Sequence, residues 1–412
     1  MASAQHLPIK RNTGLLAGSL AMNSATLQLA AAVASLTLVR VLDVEGLLGL
    51  GPAIVLASGA LAALPAGLLM DRFGRVPVLA AGFGAGIAGC ALAALGSVRG
   101  WPTAILAGLA LVGAASATGL LARTAASDMY PPERRARGIA LVLFGSVFGA
   151  ILGPAVFSPL LSGKDLTGDV LGTLWLAAGG FMVAALAIVC FVRPDPKRIG
   201  ELLEHGEARD RDSQAAPLGT LLRRPGVAPA LVAALASFAV MVAVMTLTGA
   251  IVVDHHHHGA DSVFFIIGAH VVGMFGLIIV VGDLVDRIGR TQALAGGLLL
   301  MALSVISLLW VQSVVLSAIV LFALGLGWNV SYVAATAVLA DRTEPWERGK
   351  LLGFTDLLAG LTGAGLALAG GLALTALGVA ALAIGGAALV AAPALWILRA
   401  GAPAPVASVH TP

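Results

Sequence analysis

Twelve apolar stretches, each long enough to cross the hydrocarbon core of a bilayer as a helix of about 20 residues, dominate this sequence. They fall at roughly 14–39, 46–70, 76–98, 102–126, 138–161 and 171–192, and then at roughly 227–253, 260–282, 291–312, 314–340, 350–376 and 378–398. Charged residues make up only 11% of the chain, against about a quarter in a soluble globular domain. No water-facing surface can be built from that composition, and 52 glycines suit close helix packing in lipid. The chain reads as an all-α polytopic membrane protein. Residues 1–12 are short and polar, with no signal-peptide cleavage pattern ahead of the first run. Cys90 and Cys190 both lie in apolar stretches, so no disulfide framework or cysteine-based zinc site is expected.

The runs form two sets of six. The expected organisation is an N-terminal six-helix bundle over 1–192, a cytoplasmic linker over 193–226 and a C-terminal six-helix bundle over 227–412. The linker holds Lys197, Arg198, Glu201, Glu204, Glu207, Arg209, Asp210, Arg211 and Asp212, and is too polar to enter lipid. With the N-terminus in the cytoplasm, the outward loops contain only Arg40, Arg99 and Lys164 of the 24 basic residues. That bias fixes the orientation, with both termini and Arg134, Arg135 and Arg137 inside. The net charge of +3 is then topological, and no nucleic-acid partner is expected; the partner is the lipid bilayer.

The halves repeat. Asp71-Arg72-Phe73-Gly74-Arg75 after the second span recurs as Asp286-Arg287-Ile288-Gly289-Arg290 after the eighth. Pro132-Glu133-Arg134 before the fifth recurs as Trp346-Glu347-Arg348 before the eleventh, at an offset differing by a single residue. Gly67-Leu68-Leu69-Met70-Asp71-Arg72-Phe73-Gly74-Arg75 and its copy Gly282-Asp283-Leu284-Val285-Asp286-Arg287-Ile288-Gly289-Arg290 resemble the loop signature of the major facilitator superfamily. The resemblance covers essentially the whole chain and implies a secondary transporter working by alternating access. It also implies gating by Asp71, Arg72, Arg75, Asp286, Arg287 and Arg290. Carboxylates favour helix N-termini and cations favour C-termini, so such a turn can latch one state and release it in another.

In such folds the substrate binds near the bilayer midplane, where ionisable groups are costly and functional. This chain has few: Asp356 lies about a turn into the eleventh span and Arg123 near the cytoplasmic end of the fourth. That scarcity argues against a phosphorylated or polyvalent substrate. Met241 and Met245 on the seventh span, and His270 and Met274 on the eighth, stand four apart, which keeps each pair on one helix face. Counted from the outward loop, the four form two tiers at matching depth, about 6 Å apart. Thioethers with one imidazole form a soft ligand set that suits Cu(I). The loop Asp254-His255-His256-His257-His258-Gly259 faces outward and is a candidate for external metal capture, which points to import.

Met241-Val242-Ala243-Val244-Met245 with His270-Val271-Val272-Gly273-Met274 looks like the CcoA-like copper importers, which supply copper for bacterial cytochrome oxidase assembly. Gly327-Trp328-Asn329-Val330-Ser331-Tyr332 and Gly353-Phe354-Thr355-Asp356 also resemble that branch. The resemblance implies copper as substrate, the bacterial plasma (inner) membrane as location and cuproprotein assembly factors as partners, for a monomeric carrier. A related group in the branch is similar to riboflavin transporters. The rival reading is accordingly a small organic or drug-like substrate held in a cavity lined by Asn23, Gln28, Trp328, Asn329 and Tyr332. A third reading is a metal sensor or assembly partner on a transporter scaffold. No nucleophile–base pair or phosphate-binding loop supports an enzyme, and no cofactor is expected beyond copper as cargo.

Overall fold

The computed structural model describes residues 7–42, 50–161, 167–205, 216–250, 260–311 and 313–400. Among the described residues all regular structure is helical. The first six apolar runs are occupied by α1 (Ile9–Leu42), α2 (Leu50–Phe73), α3 (Arg75–Arg99), α4 (Pro102–Leu120) with α5 (Ala122–Met129), α6 (Arg135–Leu143) with α7 (Gly145–Leu161), and α8 (Gly168–Cys190). Two short helices follow, α9 (Pro196–His205) and α10 (Leu218–Leu222). The second six runs hold α11 (Val227–Ala250), α12 (Ala260–Phe275) with α13 (Ile278–Ile288), α14 (Arg290–Ser307), α15 (Val314–Asp341) and α16 (Arg348–Ala400). Gly378, at φ 79°, divides α16 into two arms.

Nine helical segments among the described residues are long and apolar enough to cross a membrane, and the α12–α13 pair, bent by 45°, makes a tenth. α1 and the first arm of α16 occupy the two remaining runs. The duplication extends to the backbone. Gly74 at φ 100° and Gly289 at φ 91° place the same left-handed residue at the reversal in each half, where a side chain would be strained.

Contacts divide the chain into two compact units. The first comprises Met1–Ser213 and Pro345–Ala364; the second comprises Gln214–Glu344 and Gly365–Pro412. Residues 345–364, with the opening turns of α16, therefore group with the N-terminal helices. Small residues permit close approach within each unit: a Cβ on Gly108 of α4 would stand 2.7 Å from the Gly89 carbonyl oxygen of α3. In the second unit, a Cβ on Gly327 of α15 would stand 2.8 Å from the Gly297 carbonyl oxygen of α14. The first unit's core centres on Trp175, whose indole donates to Thr37 Oγ1 at 3.1 Å. The linker, expected as a polar tether, carries α9, which buries Ile199 and sets Gly200 against Asp128.

Candidate functional site

The turn after α2 builds a buried cluster of charges in the first unit. Reversal at Gly74 starts α3 at Arg75, whose Nη1 reaches Asp71 Oδ1 at 2.7 Å. Arg75 Nε binds Asp128 Oδ2 at 2.7 Å, and its Nη2 donates to the Pro345 carbonyl. Arg348 Nη1 takes the other Asp128 oxygen at 2.9 Å. Arg75 is wholly enclosed, and Asp128 and Arg348 are each 1% exposed. Asp71 also accepts from the Gly349 and Lys350 amides at 2.8 and 2.5 Å. These amides belong to the first turn of α16, which has no intrahelical acceptors of its own and carries the positive end of the helix dipole. Asp71 thus caps α16 from another helix.

The second copy is looser. Arg290 lies 3.4 Å from Asp286 and 2.6 Å from Asp341, with 17% of its side chain exposed. Of the six residues expected to gate, Asp71 and Arg75 meet in the first unit and Asp286 and Arg290 in the second. Arg72 and Arg287 are exposed, and the Arg72 guanidinium lies 5.1 Å from the Phe73 ring centroid. Deeper along the first arm of α16, Asp356 Oδ1 pairs with Arg123 of α5 at 2.5 Å.

The linker joins this cluster. Asp195 accepts from the Arg75 and Val76 amides at 3.1 and 2.9 Å, and Lys197 Nζ donates to the Asp71 carbonyl at 2.5 Å. Burial pushes the Lys197 ammonium below its ordinary range, and Arg75 adds to the effect. Burial likewise raises the Glu201 carboxyl.

In the second unit, His270 of α12 is wholly buried, and its Nδ1 lies 2.9 Å from the Leu321 carbonyl oxygen of α15. A carbonyl only accepts, so Nδ1 carries the proton in the neutral ring and Nε2 is left with a lone pair. Nε2 is buried with no partner. Met241 on α11 is buried, and Met245 and Met274 are half-buried. Among the described residues no three His, Cys, Asp or Glu side chains form a metal cluster. His255, His256, His257 and His258 lie outside the described residues.

Around the end of α12 the second unit gathers an aromatic cluster, with Trp328 buried and Phe275 and Tyr332 half-buried. Trp328 and Tyr332, one turn apart on α15, stack with centroids 4.8 Å apart and planes at 15°. Phe275, the last residue of α12, meets Trp328 edge-on at 6.2 Å. Trp328 Nε1 and both polar atoms of the Asn329 side chain are buried without partners. In the first unit, Asn23 Nδ2 donates to the Ser116 carbonyl at 3.2 Å while its Oδ1 stays unpartnered, and Gln28 is exposed.

Sequence reasoning missed Asp128, Asp195, Lys197 and Phe275. Asp128 was recoverable, since an aspartate precedes the repeated Glu-Arg pair in each half, Asp128 by five residues and Asp341 by six. Asp195-Pro196-Lys197 carried the local mark of a helix start, but nothing local showed that Asp195 and Lys197 also hold the Asp71–Arg75 turn, more than a hundred residues earlier.

Known proteins agree with this architecture. The Major Facilitator Superfamily model matches residues 15–330 and 252–411. The uncharacterized MFS-type transporter YdeG of Bacillus subtilis is 33% identical over 345 residues, covering 82% of this chain and 80% of that protein. The riboflavin transporter RfnT of Brucella anthropi is 32% identical over 307 residues, covering 73% of each. Among solved structures, the proton:xylose symporter XylE superposes with a TM-score of 0.76 at 15% identity, covering 95% of each chain, a likeness of fold. With its duplicated Asp-Arg-x-Gly-Arg turns and helices in all twelve apolar runs, the chain belongs to the Major Facilitator Superfamily of membrane transporters.

Proposed function

We propose that this transporter carries a small organic molecule with a flat ring system, held against the Trp328–Tyr332 face. The observation behind this reading is an aromatic stack beside three buried, unpartnered hydrogen-bonding atoms, Trp328 Nε1 and Asn329 Nδ2 and Oδ1. Each such atom costs about 1–3 kcal/mol until a partner arrives. A heterocycle bearing carbonyl and N–H groups on its edge would satisfy them, and its ring would gain about 0.5–1.5 kcal/mol by stacking. Similarity to RfnT supports this class, since riboflavin is such a heterocycle. The scarcity of deep charge fits a substrate without phosphate. In this reading the chain sits in the plasma membrane with cytoplasmic termini, and Asp71, Arg75, Asp286 and Arg290 gate alternating access.

The test is uptake of radiolabelled riboflavin by cells lacking their own carrier. Trp328→Ala is expected to lower initial uptake by about tenfold, the loss of one stacked face with its hydrogen bond. Uptake equal to the parent at equal membrane abundance would overturn the reading.

Copper import is the second reading, and it rests on His270. A ring fixed through Nδ1 to a backbone carbonyl, with Nε2 bare, is the usual second-shell arrangement of a metal-binding imidazole. Met241, Met245 and Met274 would add thioethers, and His255 to His258 would collect the ion outside. His270→Ala is expected to abolish radiocopper accumulation if this reading holds. Parental copper uptake in that variant removes it and leaves the organic substrate.

A further inference from the structure

The linker is more than a tether. Asp195 caps two helices at once. Its Oδ1 accepts from the Lys197 amide at 2.9 Å at the start of α9, an Asp-Pro-Lys N-terminus with proline in the first turn. The same carboxylate takes the Arg75 and Val76 amides that open α3. The space it fills exists because residue 74 is glycine: a Cβ there would stand 2.8 Å from Asp195 Oδ2. Lys197 meets the opposite end of the turn. Its ammonium donates to the Asp71 carbonyl in the last turn of α2, where helix carbonyls lack partners and a cation is favoured.

The two linker side chains therefore hold both ends of the Asp71–Arg75 turn. From that turn Arg75 grips Pro345 and Asp128, and Asp71 caps α16 at Gly349 and Lys350. Capping runs in series: Asp195 fixes the start of α3, Arg75 at that start fixes Asp71, and Asp71 fixes the start of α16. We infer that Asp195 and Lys197 are positioning residues for the α16 latch, so that docking of α9 tightens it and undocking loosens it. The linker joins the two six-helix halves, so strain in it would reach the latch directly. This rests on the reading that Asp71 and Arg75 form a latch at all.

Amide hydrogen exchange of the full chain in lipid nanodiscs tests both layers separately, without a substrate. Asp71→Asn is the reference variant and is expected to raise exchange at Gly349 and Lys350 by about tenfold, the loss of a charge-assisted cap. Asp195→Ala is expected to raise exchange at those same two amides by a comparable factor, although Asp195 touches neither. Asp195→Asn, which keeps one acceptor oxygen, should restore part of the protection. Lys197→Met keeps the apolar stem and reads the same effect should Asp195→Ala fail to fold, with α8 and α14 peptides reporting folding. If exchange in the linker variants rises only in α9 and the start of α3, their role is local and the inference is overturned while the latch stands. If Asp71→Asn leaves Gly349 and Lys350 protected, the latch and the inference fall together.

Discussion

Replacing Asp128 with asparagine is expected to destabilise the protein by about 3–5 kcal/mol, the penalty for breaking a buried ion pair from one side. The shape of the side chain is kept and only the charge is lost. Two buried guanidiniums, Arg75 and Arg348, would then lose the carboxylate they share, in a cluster almost closed to water. The pseudo-equivalent change, Asp341→Asn, is the internal control. It removes one carboxylate partner of Arg290 and leaves Asp286, but there both side chains of the lost pair are about one-fifth exposed, and a pair wet to that degree is worth about 0–1 kcal/mol. Thermal unfolding in detergent should therefore separate the variants sharply, with Asp128→Asn far below the parent and Asp341→Asn near it. Equal losses would show that the two copies of the motif bear equal weight, contrary to their burial.

That asymmetry marks where the sequence stops speaking. Hydropathy located all twelve runs because lipid forces each span to satisfy its own backbone and tolerate few charges. The repeated Asp-Arg-x-Gly-Arg turn was legible because its glycine must take a left-handed conformation in both halves. The sequence treated Arg72 and Arg75 alike, however, and only the helix start at Arg75 turns one guanidinium inward while Arg72 stays out by Phe73. Helix α9 was hidden because its burial comes from contacts distant in sequence, such as Gly200 against Asp128. At the second-unit site, spacing of four put His270 and Met274 on one face, and Trp328 and Tyr332 were legible as candidate cavity-lining residues. Spacing could not report that Phe275 closes on Trp328, because that follows from the break between α12 and α13.

The other large effect is expected from a single methyl group. A Cβ on Gly67 of α2 would overlap the carbonyl of Gly349 in the first arm of α16, and one on Gly353 would overlap the Ala63 carbonyl. The obstructing atoms are backbone, so no rotamer change relieves them. No neighbouring side chain can be trimmed in compensation, because Gly349 has none. Overpacking costs about 1–3 kcal/mol where side chains give way, and Gly67→Ala should reach or exceed the top of that range. The strain falls beside the Asp71 cap and Arg75, so relief by parting α2 from α16 would lengthen the hydrogen bonds to Gly349 and Lys350. Gly67→Ala is therefore expected to lower the unfolding temperature and to expose those two amides to exchange together. Gly18→Ala is the matched control: its new methyl would meet only the Ile188 side chain at 3.8 Å, an ordinary contact, and should shift stability by less than about 0.5 kcal/mol. Should the two variants unfold alike and protect Gly349 alike, the backbone contact between α2 and α16 would not be holding the latch shut.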